Sequence, residues 1–276
     1  MLLSVFRTDW LKQWRRPLTY GALALVVVIP VIFAVALKAN PPSPPEHFGD
    51  AGDRFNFFAS KTGLYLGVSS LLVMSRFLLE VVVAIFAGIA ISSEANWGNL
   101  RALLVRPITR SQLLTAKLTT ATLLGLLASL LVLATGLVAG IIAFGWHPLA
   151  SGPFHQSAGM ILWHLVLSTL YVFWSFSPII ALAFMVSTMT DYAAGAVFAA
   201  LGLYVVSQIL DALTSIPASI RVALPTHYLD AWQHLFQGSG HGPTADMLRG
   251  ALLPIAYVLV FLGVAWWWFH RKDITS

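Results

Sequence analysis

The sequence predicts an all-α, polytopic membrane protein. It would form a single transmembrane domain over residues 1–276, with six spans, a short amphipathic helix ahead of the first and a surface helix between the second and third. Three observations lead there. The chain is 58% hydrophobic and 10% charged, with a mean hydropathy of +0.80. Soluble domains run at about 45–50% apolar and about 25% charged, so a soluble surface cannot be covered. Such hydrophobicity also excludes a disordered chain. Six stretches approach or exceed the ~20 apolar residues that a bilayer requires, at about 20–39, 64–92, 118–146, 159–185, 192–212 and 250–269. No run of alternating ten-residue strands suggests a barrel. The chain has no cysteine, which excludes disulfides, zinc–thiolate sites and thiol catalysis.

The first element is read from residues 3–16. Leu3, Phe6, Trp10, Leu11 and Trp14 recur at helical spacing, with Arg7, Lys12, Arg15 and Arg16 elsewhere. Trp and Arg together suit the headgroup layer, and Pro17 breaks the helix before the bilayer. These charges and the lack of a small-residue cleavage site argue against a signal peptide. A basic membrane anchor is the plain alternative to a transporter's elbow helix.

Orientation follows from lysine and arginine. With six spans, the side of the termini holds Arg7, Lys12, Arg15, Arg16, Arg101, Arg106, Arg110, Lys117, Arg271 and Lys272. The other side holds Lys38, Arg54, Lys61, Arg221 and Arg249, and Arg76 falls inside the second span. The excess places both termini in the cytoplasm. The net charge of +5 is thus a matter of orientation and partners, and nucleic acid is not implied.

Residues 40–63 and 213–249 then form external segments. The first opens on P-P-S-P-P, which favours extended backbone, and continues to F-N-F-F at 55–58, suited to packing or to a membrane surface. The second is divided by Pro217, Pro225 and Pro243 and contains an amphipathic stretch with Tyr228, Trp232, Leu235 and Phe236. His227, His234, His241 and Asp230 are spaced too widely for three ligands on one helical turn, so no metal is expected.

The cytoplasmic segment 93–117 carries the most information. Glu94 sits where the second span meets water; Trp97, Leu100, Leu103 and Leu104 have helical spacing, with Arg101 and Arg106 beside them. Pro107 stops that helix, and Thr109 or Ser111 can cap the next. Trp and Leu on one face and Arg on another suit docking into a partner's groove; a connector that touches only lipid is the alternative.

The pattern E-x-x-x-G-x-L-R-x-L-L-x-x-P-I-x-R-x-x-L-L-x-x-K resembles the signature of type-2 ABC transporter permeases, the membrane subunits of many bacterial exporters. It is formed by Glu94, Gly98, Leu100, Arg101, Leu103, Leu104, Pro107, Ile108, Arg110, Leu113, Leu114 and Lys117. The likeness extends over nearly the whole chain, including L-P-T-H-Y-L-D-A-W at 224–232 and F-H-R-K-D-I at 269–274. It implies a permease in a bacterial cytoplasmic membrane. The permease would pair with a second copy of itself or a related permease and bind two copies of a cytoplasmic ABC ATPase. Residues of about 94–106 would be the coupling helix. Glu94, Trp97, Gly98, Leu100, Arg101, Leu104, Arg106, Pro107 and Arg110 would meet the ATPase. No G-x-x-x-x-G-K-[ST] phosphate loop occurs in the sequence, so ATP and magnesium would be bound by that partner, and this chain would hold no cofactor and catalyse no reaction.

Within the spans, Arg76 and Glu80 are four residues apart, on one helix face. Ionisable groups in a bilayer face a bundle interior or wet cavity, so a neutralising pair for packing is expected, with a place on the translocation path or in proton coupling as alternatives. Gly136 and Gly140 form a G-x-x-x-G for close helix approach. Pro178 kinks the fourth span; His164 near its outer end reads as a packed or interfacial histidine; Asp191 suits an N-cap. The translocation path is expected along Met74, Ser75, Phe77 and Glu80 of the second span and Phe198, Tyr204 and Gln208 of the fifth.

The expected function is ATP-driven export of an amphipathic drug, antibiotic, lipid or peptide. A second reading is an ABC-type permease of a maturation or sensing complex that remodels an extracytoplasmic partner. A membrane enzyme would need a nucleophile–base pair or metal motif in the spans, and an independent carrier would more often show repeats or several buried charges; neither is evident.

Overall fold

The computed structural model describes residues 2–44, 50–96, 109–151, 154–237 and 242–272. In chain order it contains α1 (Leu2–Trp14), α2 (Pro17–Ala39), α3 (Ala51–Lys61), α4 (Gly63–Ser75), α5 (Leu78–Asn96) and α6 (Arg110–Phe144). A hairpin of two short strands follows, β1 (Leu149–Ser151) and β2 (Phe154–Gln156), then α7 (Ala158–Ser175), α8 (Ser177–Met189), α9 (Ala193–Ala212) and α10 (Ala218–Arg221). A 3₁₀ helix at Ala231–Phe236 and α11 (Ala245–Arg271) complete the chain. Five helices are long and apolar enough to cross a membrane, or six if the bent pair α4–α5 is one span. By length and apolarity this is a helical membrane protein.

Local chemistry explains the boundaries. Pro17 begins α2, where its missing N–H costs nothing. At α6, Thr109 accepts from the Gln112 N–H while the Gln112 side chain accepts from the Thr109 N–H, a capping box. The helix ends at Gly145, whose φ of 80° suits a residue without Cβ. The α6 helix starts at Arg110, so Lys117 lies well inside it.

The second predicted span is broken. α4 and α5 meet at 56° across Arg76 and Phe77, with neither proline nor glycine at the break. The Ser75 hydroxyl donates to the Leu72 carbonyl at 3.1 Å, a back-bond that bends helices. The fourth span is interrupted at Phe176, with Pro178 in the first turn of α8.

α6 is the central mast, packing on α1, α2, α4 and α5. Its Gly136 and Gly140 lie against α4, where Gly63 and Gly67 repeat the same spacing. A methyl group on Gly140 or Gly63 would collide with the other's backbone, so the G-x-x-x-G brings two main chains into contact.

The far end of the bundle, away from the chain termini, is capped. α3 forms within the predicted loop 40–63 because Asp50 caps it, accepting from the Asp53 N–H at 3.1 Å. Phe55 and Phe58 are fully buried and pack with Tyr65. Phe55 also meets Trp232 and Phe236 at 6.1 and 5.8 Å between ring centroids. F-N-F-F is therefore a packing element. Burial pushes the Arg54 pKa down, and its guanidinium stacks on Phe55. His164 is buried edge-on to Phe236 at 5.8 Å, a packed histidine.

Candidate functional site

At the terminal end, α1 carries Asp9, Lys12 and Gln13, and Arg16 follows in the turn: the i, i+3, i+4, i+7 spacing of a single helical face. This stripe turns inward; Asp9, Gln13 and Arg16 are buried, whereas Leu3 is 80% exposed. The helix is thus oriented by its polar face rather than by its apolar one.

The stripe meets α5 and α6 in a buried ion cluster. Lys12 Nζ donates to both Glu94 carboxylate oxygens at 2.7 Å. Lys117 Nζ donates to Glu94 Oε1 at 3.0 Å and to Asp9 Oδ1 at 2.5 Å. Arg16 Nη2 lies 3.5 Å from Glu94 Oε1 and donates to Ser93 Oγ at 3.2 Å. Glu94 and Lys117 are 1% and 3% exposed and Asp9 6%. Charges removed from water are tolerable only when paired and hydrogen-bonded, and this cluster locks α1, α5 and α6 together.

Two corrections follow for the expected ATPase-contacting residues. Glu94 does not face water or a partner, because the three cations draw it inward. Arg110 is occupied as well: its Nη1 donates to the carbonyls of Phe269 and His270 at 2.9 Å and of Lys272 at 3.0 Å. It caps the C-terminal end of α11, where orphan carbonyls and the helix dipole favour a cation. Trp97, Gly98, Leu100, Arg101, Leu104, Arg106 and Pro107 lie outside the described residues. Asp191 takes Lys272 at 2.6 Å instead of capping α9, whose N-cap is Tyr192 without a side-chain bond.

A second polar site lies at the α4–α5 break. The expected Arg76–Glu80 pair is not formed, since the break between them removes the i, i+4 alignment. Arg76 turns to Asp230 at 3.4 Å, and Glu80 accepts from Gln208 Nε2 of α9 at 2.5 Å. Eighteen residues separate Arg76 from Glu94, about 27 Å of helix, so Arg76 lies nearly a bilayer's hydrocarbon thickness from the terminal cluster.

Beside it is a cleft of about 330 Å³ lined by Arg76, Gln208, Asp211, Thr226, His227 and Asp230 among others. His227 Nδ1 meets Asp211 at 2.5 Å, and the Ser207 and Thr226 hydroxyls are 2.9 Å apart. The arrangement offers carboxylate, imidazole and guanidinium groups to a polar ligand. Of the expected path residues, the structure brings together Glu80 and Gln208. Met74, Ser75 and Tyr204 are buried in the packed interior, while Phe77 and Phe198 point outward, so the seven do not line one surface among the described residues.

Asp9, Lys12 and Lys117 were not singled out as a cluster by sequence. One signal was available: a lysine inside a long apolar helix demands a partner. Its carboxylates are 108 and 23 residues away, beyond any local pattern.

A stretch of 68 residues is 38% identical to the uncharacterized protein YhcI of Bacillus subtilis (strain 168), covering 25% of this chain and 21% of that protein. The match therefore spans about a fifth of the relative's length. Over residues 22–275, from within α2 to past the end of α11, the chain matches DUF2705, a protein family of unknown function, and it belongs to that family.

Proposed function

We propose that this chain is the permease subunit of an ATP-driven ABC exporter with type-2 architecture. It crosses a bacterial cytoplasmic membrane six times with both termini in the cytoplasm. It pairs with itself or a related permease and borrows its motor from a separate ATPase. The cargo class is amphipathic: a drug, antibiotic, lipid or peptide.

The observation that carries this reading is the anchoring of the connector 97–108. It leaves α5 just after Glu94 and returns through Arg110, and both flanks are fixed in the bundle, Glu94 to α1 and α6 and Arg110 to the end of α11. A push on the connector would be passed to four helices at once, as a coupling helix requires. Contacts of Asp9 with Lys117 and of Arg110 with Lys272 hold both ends of the chain at one end of the bundle, which suits an even number of crossings.

The test is a search of the neighbouring genes for an ABC ATPase and co-expression with it, followed by affinity capture and transport assays. Capture of the ATPase by the wild-type chain, lost in Trp97→Ala with Arg101→Ala, is expected. If the chain is stable alone and captures no ATPase, the reading fails. ATPase capture with no cargo movement would favour remodelling of an extracytoplasmic partner.

A further inference from the structure

Between α2 and α6, on the outside of the bundle, runs an apolar groove of about 550 Å³. Its floor is small: Ala34 from α2, Ala139 and Ala143 from α6. Its rims are branched, with Val35 64% and Ile142 78% exposed. Two polar residues line it, Thr135 and Lys38. The Thr135 hydroxyl is already used, donating to the Leu131 carbonyl at 2.6 Å. Lys38 has no hydrogen-bond or ion-pair partner among the described residues.

Dimensions and charge identify the occupant. Along α2 the groove runs from Val27 to Lys38, eleven residues or about 16 Å, close to half of the ~30 Å hydrocarbon core. Lys38 lies 22 residues beyond Arg16 of the terminal cluster, about 33 Å along the helix, which puts its ammonium at the far membrane interface, where lysine extends toward headgroups. Small residues at the contact would also let a transmembrane helix of a second copy approach; the Lys38 ammonium at the end of the slot, with no partner among the described residues, favours an anionic lipid over an apolar helix. Here the small residues form the floor and β-branched ones stand up on either side, leaving a slot for a single methylene chain.

We propose that this groove is a binding site for an anionic phospholipid of the far leaflet, with one acyl chain in the α2–α6 slot and the phosphate on Lys38. The proposal stands independently of the exporter reading. It is tested with the full chain reconstituted into vesicles of phosphatidylglycerol and phosphatidylcholine, extracted in mild detergent and weighed by native mass spectrometry. Wild type should retain phospholipid with phosphatidylglycerol preferred. Val35→Trp fills the slot from its exposed rim without touching the core, and it should lose that lipid with either headgroup while keeping wild-type thermal stability. Lys38→Gln should keep the chain bound but lower the preference for phosphatidylglycerol about fivefold, the worth of one interfacial lysine. Unchanged lipid retention in Val35→Trp, or unchanged headgroup preference in Lys38→Gln, overturns the proposal. So does dissociation of a dimer by Val35→Trp, which would assign the groove to a second copy.

Discussion

Replacing Lys117 by methionine tests the terminal cluster directly. The substitution keeps the aliphatic stem and removes the charge. Asp9 then loses its cation, which lies at 2.5 Å in the wild type, and Glu94 keeps Lys12 and Arg16. Leaving a buried charge unpaired costs about 3–5 kcal/mol, a fall in melting temperature on the order of 10 °C for a chain of this size. The double variant Asp9→Asn with Lys117→Met removes both members. Because replacing a whole buried pair is nearly neutral, much of the loss should return, giving a coupling of about 1–3 kcal/mol. Thermal unfolding in detergent, followed by tryptophan fluorescence, reads all four corners of the cycle. Strict additivity, or a single variant melting with the wild type, would show that these charges are solvated and that α1 is not locked to α6.

Gly140→Ala should destabilise by about 1–3 kcal/mol, because its methyl would meet the Gly63 backbone. Gly202→Ala, with nothing within 4 Å, should be neutral or slightly stabilising on the same melting assay. Phe55→Ala should cost about 3–5 kcal/mol by emptying the centre of the aromatic cap. Arg76→Gln, breaking a half-exposed pair, should cost under about 1 kcal/mol. Gln208→Leu should cost about 1–3 kcal/mol by leaving the Glu80 carboxyl without its donor, reversing the ranking that an Arg76–Glu80 pair would give.

What was legible in the sequence was whatever depends on local pattern. The apolar stretches mark the helices, Pro17 and Pro178 mark a start and a break, and Thr109 marks a cap. Gly136 and Gly140 announced a close approach, although the partner, Gly63 and Gly67, was decided by the tertiary arrangement. The break at Arg76 was hidden because neither proline nor glycine marks it, and Ser75, whose hydroxyl bonds the Leu72 carbonyl there, resembles any other polar residue in a span. Glu80 and Gln208 were both placed on the expected path, but not as bonded partners: 128 residues divide them, and the nearer Arg76 made the more obvious partner. The N-terminal helix was expected, but its buried polar stripe was not, for a different reason. Its apolar residues and arginines suggested a helix lying in the headgroup layer, which says nothing of a polar stripe turned toward protein. The polar stripe then decides which face turns inward.

That inversion narrows where a cytoplasmic motor can dock. Arg101, Arg106 and Arg110 were all expected to meet such a partner. Arg16 is buried in the bundle and Arg110 is bound to the end of α11, and the intramolecular role of Arg110 means that its loss should act through stability. Arg101 and Arg106 lie in the connector that joins the two anchored flanks, so in the exporter reading they supply most of the electrostatic part of docking. If that partner's surface is acidic, reversing both to glutamate would set like charge against it, a penalty of several kcal/mol that amounts to more than a hundredfold loss of affinity. The expected result is loss of ATPase capture at low and moderate salt with a wild-type melting temperature. Arg110→Ala should do the reverse, lowering the melting temperature while capture survives below it. If the two variants exchange these outcomes, the anchored flank and the docking segment have been assigned the wrong way round.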